Sequence, residues 1–403
     1  MKRIFFLLLS FLFIINIAQA RSHVVLGVER LDEPMVQTLL ADKRIGLFTN
    51  QTGVDSRLQS SVSLVQERYQ LTGIFVPEHG LFGAVAAGEK FDGSELAGVP
   101  VHSLYGATRR PTKEMLQDID VMLIDIQDVG IRHYTYFSSL AYIMEECAKE
   151  KKQVVVLDRP NPLGGAMQGP VLKPENTSFI GLYELPLRHG LTIGEFARYI
   201  NATQKLGCDL QVVPMLGWRR NMLWQDTHLP WVLTSPLIPT QETALLYGVT
   251  GAIGDSNLSV GVGTAKPFFF VGAPFVEAQK LQAALTAVLP AGTGVRAAAY
   301  TPRYGAYDGE LVQGVELYLT DVRRVNVAEL QYKLYQTLVR LYPEKITTPE
   351  RGYGTKGFKL DIAWGEDSLR LCKDAEADEA VFARWRAECA AFAAQVQPYL
   401  LYK

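Results

Sequence analysis

Between Arg44 and Asp158 the hydrophobic positions come in short blocks, each closed by polar residues or glycine and followed by a segment with helical spacing. RIGLFT at 44–49, TGIFV at 72–76, VMLIDI at 121–126 and QVVVLD at 153–158 read as strands, and VPVHSLY at 99–105 as a shorter one. Their nearly unbroken apolar character suits a sheet covered on both faces. Helices are expected over 61–69, over 111–118 with Pro111 in a first turn, and over 134–150. Strands alternating with helices predict an α/β fold with a Rossmann-like, doubly wound, mostly parallel sheet.

The second half is less regular. Helices are expected at 191–207, 276–289, 327–342 and 378–397, and strands at 209–215 and 310–321. A chain of 403 residues is long for one core, so two units are expected. The proline-rich passage from Pro230 to Pro239 puts the division between residues 21–245 and 246–403.

Composition narrows the class. With 48% hydrophobic and 20% charged residues, the chain is neither a disordered polar segment nor a coiled coil. Forty Lys and Arg against 42 Asp and Glu give a formal charge of -2, so nucleic acid is not an expected partner. The first twenty residues, MKRIFFLLLSFLFIINIAQA, have the basic start, apolar run and small terminal residues of a secretory signal cut after Ala20. An uncleaved anchor is the rival reading. The mature chain is expected to be periplasmic or secreted, with the periplasm preferred and no stable membrane insertion. Cys147, Cys208, Cys372 and Cys389 lack metal-type spacing. Cys147 falls in a helical apolar pattern and is expected as a buried thiol, whereas Cys372 and Cys389 could be bridged.

Polar residues accumulate where the strands end, the edge at which open parallel sheets bind ligands. Asn50 follows the first strand, Glu78 and His79 the second, and Tyr105 the third. Asp125, Gln127 and Asp128 end the fourth, and Asp158, Arg159 and Asn161 the fifth. Arg132, Tyr134 and Tyr136 have two readings: contacts to a sugar with an acidic substituent, or pairing with loop carboxylates. Each strand-end residue also has a capping alternative. No GxGxxG leads from a strand into a helix, which argues against a dinucleotide, and no GxSxG marks a serine hydrolase. The six histidines form no HExxH, and neither metal nor cofactor is expected.

Several long motifs in fixed order make a more specific signal. RIGLFTNQTGVD, FVPEHGLFG, IDIQDVGIRHYTYFSSL, VLDRPNPLGG, LRHGLTIGEFA and NLSVGVGTAKPFFFVGAPF resemble the YbbC-type DUF1343 family, which contains exo-acting beta-N-acetylmuramidases of the NamZ type. The resemblance implies a Rossmann-like domain followed by a smaller mixed α/β domain, with the active cleft between them. It implies hydrolysis of a non-reducing-end N-acetylmuramic acid (MurNAc) from small peptidoglycan fragments such as MurNAc-GlcNAc. Carried onto this chain, it makes Glu78 the leading catalytic carboxylate, with His79 and Asp128 beside it. Asn50, Gln51, Tyr105, Gln127, Arg132, Tyr134, Asp158, Arg159, Asn161, His189 and Asn257 become substrate-binding candidates. The lactyl acid of MurNAc is expected to meet Arg132, Arg159 and His189. The match is interrupted in IGDSNLSVGVGT, where Gly254 and Val262 replace the family's usual Glu and Arg. A noncatalytic exported muropeptide-binding protein is therefore the second reading.

Overall fold

The computed structural model describes residues 24–90, 94–350, 352–374 and 378–403. The expected leader lies outside them. The strands are β1 (Arg44–Thr49), β2 (Gln70–Val76), β3 (Ser94–Leu96), β4 (Val99–Ser103), β5 (Val121–Asp125), β6 (Gln153–Leu157), β7 (Gln168–Val171), β8 (Pro186–Arg188), β9 (Leu210–Val213), β10 (Phe270–Ala273), β11 (Thr293–Tyr300) and β12 (Val312–Leu319). Seven form the main sheet in the order β3-β4-β2-β1-β5-β6-β9, parallel throughout except for β3 on the edge. From β1 the chain winds one way through β2 and β4, then returns to β5 and winds the other way, as expected of a doubly wound sheet. A smaller antiparallel sheet, β10-β12-β11, belongs to the second half, and β7 and β8 form a separate hairpin.

Period-two alternation divides the apolar strands between two cores. Ile45, Leu47, Ile74, Val76, Leu123 and Val155 face one side, under Val36, Leu40 and Val65. Phe48, Phe75, Met122, Ile124, Val154 and Val156 face the other. That second core runs on without a break through Leu246, Val315, Leu334 and Trp364, so the two halves share it. The expected division near 245 falls within a helix, Gln241–Thr250, that carries the chain from one half into the next.

Two contacts tie the halves further. Arg132 sends Nη1 to the Pro170 and Leu185 carbonyls, each at 2.8 Å, and Nη2 to those of Ala363 and Trp364, which end the helix Lys359–Trp364. A cation suits a helix C-terminus, where the last carbonyls lack partners. Gly365, which caps this helix at φ +102°, is needed twice over, because a Cβ there would collide with the Arg132 guanidinium. The C-terminal tail returns to the first half, where Tyr402 donates to Asp158 Oδ2 at 2.6 Å and the Leu401 amide donates to Glu195.

Some expectations need correcting. The helix expected over 61–69 is Ser61–Gln66, because the chain turns at Glu67 and enters β2 at Gln70, with the Tyr69 hydroxyl bound to the Leu31 carbonyl. The one expected over 111–118 is the single turn Lys113–Leu116. All four cysteines are buried and unbridged, including Cys372 and Cys389.

Candidate active site

The crevice at the carboxyl ends of β1 and β5, where the sheet changes winding direction, is filled by the protein itself. Arg159 donates from Nε and Nη2 to the two Asp125 oxygens at 2.6 and 2.8 Å, both side chains being buried. Asn50 donates to the Tyr136 hydroxyl and accepts from the amide and hydroxyl of Thr52, whose hydroxyl oxygen accepts the Gln127 amide. These bonds tie down the loops after β1 and β5 and leave a void of only about 10 Å³ beside Thr52, Gln127 and Arg159.

A cleft of about 440 Å³ opens instead beyond the ends of β2 and β4, within the size range of small-molecule sites. The first half contributes Glu78, His79, Tyr105, Arg109, His133, Tyr134, Thr135 and Phe179; the second contributes Tyr247, Phe268, Tyr353 and Lys359. Both halves therefore build the site.

Glu78 reaches it through an unusual turn. After β2 the backbone takes left-handed φ at His79 (+74°) and Gly80 (+73°), a conformation that costs a non-glycine residue energy and is commonly held in place at functional sites. The Glu78 side chain is then fixed at both oxygens: Oε1 accepts the Gly88 amide at 2.8 Å and Oε2 accepts the Thr135 hydroxyl at 2.9 Å. Among the described residues lining the cleft, Glu78 is the one carboxylate. His79 binds the Val85 carbonyl through Nδ1 at 2.7 Å. A carbonyl only accepts, so Nδ1 is the donor in this contact and the ring's other nitrogen, Nε2, is not the one engaged by Val85.

Two lining residues respond to this surrounding. Burial, aided by the Glu78 charge, pushes the Tyr105 hydroxyl up to about 12. Burial, aided by the nearby Arg132 charge, pulls His133 down to about 3, so its ring is neutral. Neither His133 nitrogen has a hydrogen-bond partner among the described residues, although the ring packs against Tyr247 with centroids 4.5 Å apart. On the far side, Asp255 accepts the Tyr353 hydroxyl on both oxygens at 2.8 Å and lies 3.4 Å from Lys359 Nζ. Asp255 stands behind two lining residues rather than at the surface of the cleft.

Of the residues singled out in the sequence, Glu78, His79, Tyr105 and Tyr134 meet in the cleft. The others do not line it. Gln51 donates to the Leu233 carbonyl, Gln127 to those of Asp128 and Pro160, and Asn161 to that of Leu191. Asp128 accepts the Gly130 amide at 2.7 Å and lies 3.5 Å from His189 Nε2, with both side chains buried. Asp158 collects the Arg159 and Gly194 amides and the Thr192 and Tyr402 hydroxyls, and burial lifts its pKa to about 7. Asn257 brackets Lys345 and Thr347. Arg132, Arg159 and His189, expected at the sugar acid, are all buried in internal contacts. The cleft cations are Arg109 and Lys359, and neither ends a strand. Gly254 and Val262 also lie away from the lining. Among the described residues no set of three potential metal ligands is gathered.

The chain's resemblance to known proteins spans both halves. The N-terminal family profile of the exo-beta-N-acetylmuramidase NamZ matches residues 45–242, and the C-terminal one matches 245–402. The chain is 43% identical over 334 residues to the peptidoglycan beta-N-acetylmuramidase NamZ of Bacillus subtilis (strain 168), covering 82% of this chain and 80% of that protein. Two crystal structures of DUF1343 family proteins from Bacteroides fragilis NCTC 9343 are similar. One has a TM-score of 0.83 at 35% identity, covering 94% of this chain and 99% of that one. The other has a TM-score of 0.74 at 26% identity, covering 95% and 99%.

Proposed function

The chain belongs to the exo-beta-N-acetylmuramidase NamZ family and is a glycoside hydrolase of that family, and we propose that its cleft releases the non-reducing-end MurNAc of fragments such as MurNAc-GlcNAc with Glu78 as the catalytic carboxylate. The observation that carries this reading is the placement of Glu78 as the carboxylate of the cleft lining, clamped at both oxygens.

The clamp is asymmetric in a way that suits proton transfer. The Gly88 amide can only donate, so Oε1 remains an acceptor in either protonation state. The Thr135 hydroxyl can rotate, donating to Oε2 when Glu78 is ionised and accepting from it when Glu78 is protonated. The transferable proton therefore belongs on Oε2. Glycoside cleavage breaks the bond between the anomeric carbon and the leaving oxygen, which takes up the Oε2 proton. Water adds its oxygen to the anomeric carbon and gives a proton to a base. We assign to His79, whose Nδ1 is held by the Val85 carbonyl, the role of accepting it or orienting the water. Incubating the wild type with MurNAc-GlcNAc and measuring free MurNAc tests the reading: release supports it, and binding without release defeats it.

Cell-wall fragments are met outside the cytoplasm, and the signal-like start favours a periplasmic mature protein. Mass measurement of the mature chain should place its first residue near Arg21; retention of residues 1–20 would contradict this.

A further inference from the structure

MurNAc differs from N-acetylglucosamine by a lactyl ether that ends in a carboxylate. A protein that reads this difference needs a cation whose charge is not already matched by a neighbouring acid. The two basic side chains of the cleft lining, one Arg and one Lys, differ in this respect. Lys359 Nζ stands 3.4 Å from Asp255 Oδ1, so its charge is largely offset. Arg109 makes no ion pair with a carboxylate among the described residues.

Arg109 is also held in a defined pose while remaining exposed. Its guanidinium carbon lies 4.1 Å from the ring centroid of Phe179 and 5.3 Å from that of Tyr105, and both rings line the same cleft. Phe179 itself is buried, a firm base for the contact. The ring contacts and a hydrogen bond to the Tyr105 hydroxyl restrain the side chain and leave further N–H donors on the five-donor guanidinium, a planar fork that takes a carboxylate with two parallel bonds. Tyr105 ties this pose to the reacting group, since its hydroxyl also feels the Glu78 charge. The cation and the catalytic carboxylate thus share a neighbour at one end of the cleft.

We propose that Arg109 is the specificity determinant of this enzyme, accepting terminal sugars that carry a free lactyl carboxylate. The proposal rests on the muramidase reading of the cleft and names the residue that enforces it.

The test compares wild type, Arg109→Gln and Arg109→Lys on a chromogenic N-acetylmuramide and on the same compound with its lactyl acid capped as the methylamide. Wild type should prefer the acid. Arg109→Gln should lower kcat/KM for the acid by about 10- to 100-fold, mainly through KM, as expected for losing a charge-assisted hydrogen-bonded contact. Its loss on the amide should be clearly smaller, so that the acid-over-amide preference of the wild type falls by about tenfold or more. Arg109→Lys, which keeps the charge and loses the paired geometry, should fall between the two. Equal losses on both compounds, or none on either, would overturn the proposal. If wild type cleaved neither compound, the muramidase reading would fail. Calorimetric binding of MurNAc and its methylamide would then still decide the role of Arg109, because a wild-type preference for the acid that Arg109→Gln abolishes supports it and an unchanged preference overturns it.

Discussion

Replacing Arg132 with Met separates a structural role for this cation from a role in binding substrate. In the fold the guanidinium donates to four carbonyls, those of Pro170, Leu185, Ala363 and Trp364. Leaving a buried acceptor unsatisfied costs about 1–3 kcal/mol, so four amount to roughly 4–12 kcal/mol before relaxation. Against this stands the cost of burying the charge itself. Burial draws the Arg132 pKa from 12.5 to about 9, which corresponds to roughly 5 kcal/mol that Met does not bear. The balance is a loss of about 3 kcal/mol, close to that for breaking other buried charged contacts. For a chain of this length the unfolding entropy is roughly 0.8 kcal/mol per kelvin, so Tm should fall by about 4 °C. Two of the freed carbonyls end the helix Lys359–Trp364, whose first residue lines the cleft, so catalysis should weaken as well. That weakening should be equal for the acid and methylamide substrates, unlike the effect of changing Arg109. Calorimetric melting and paired kinetics check both parts. A variant with wild-type Tm and a KM raised only for the acid substrate would refute the structural role and return Arg132 to the sugar.

Thr135→Val removes the hydroxyl from Glu78 Oε2 and should lower kcat by about 10- to 100-fold with little change in KM, the scale of one hydrogen bond to a charged group; an unchanged kcat would show that the bond does not serve turnover. Asp158, fully buried, has a folded pKa of about 7 against an ordinary 3.8. A raised folded value means that protonated Asp158 contributes stability that is complete below about pH 4 and lost as pH rises through 7. Denaturation of wild type and Asp158→Asn between pH 4 and 8 should show the wild type losing up to roughly 4 kcal/mol relative to the variant; parallel stability curves would contradict the shift.

The main sheet was legible because its central strands are buried on both faces. β1, β5 and β6 carry unbroken apolar runs, and their expected bounds agree with the structure to within a residue. β11 went unread because GVRAAAY lacks large apolar residues and only partly buries what it has. The helix Gln241–Thr250 went unread because its buried face includes Thr243, Gly248 and Thr250, which do not register as a hydrophobic stripe. Strand-end reasoning located the right edge of the sheet and overestimated how many polar groups there were available to a ligand. Asn50, Asp125, Asp158 and Arg159 are consumed in holding the loops that follow their own strands, a demand that residue type and position do not reveal. Thr135, Arg109, Tyr353 and Lys359 escaped notice for the opposite reason. Arg109 and Tyr353 lie in loops without periodic signal, Thr135 caps the helix Tyr136–Lys149 and meets Glu78 only across the fold, and Lys359 opens a short helix of the second half that closes on the cleft.

The central claim is that Glu78 carries the proton chemistry of MurNAc release. The direct measurement is steady-state cleavage of MurNAc-GlcNAc by wild type and Glu78→Gln, with substrate binding and melting recorded on the same preparations. Gln keeps the side chain's size and removes its acid and base forms. The structure predicts a folded variant that binds the disaccharide nearly as well and turns over at least about 100-fold more slowly, the usual scale of general acid catalysis. Near-wild-type turnover by a folded Glu78→Gln would contradict the claim and shift the search to His79 and to Asp255 behind Tyr353.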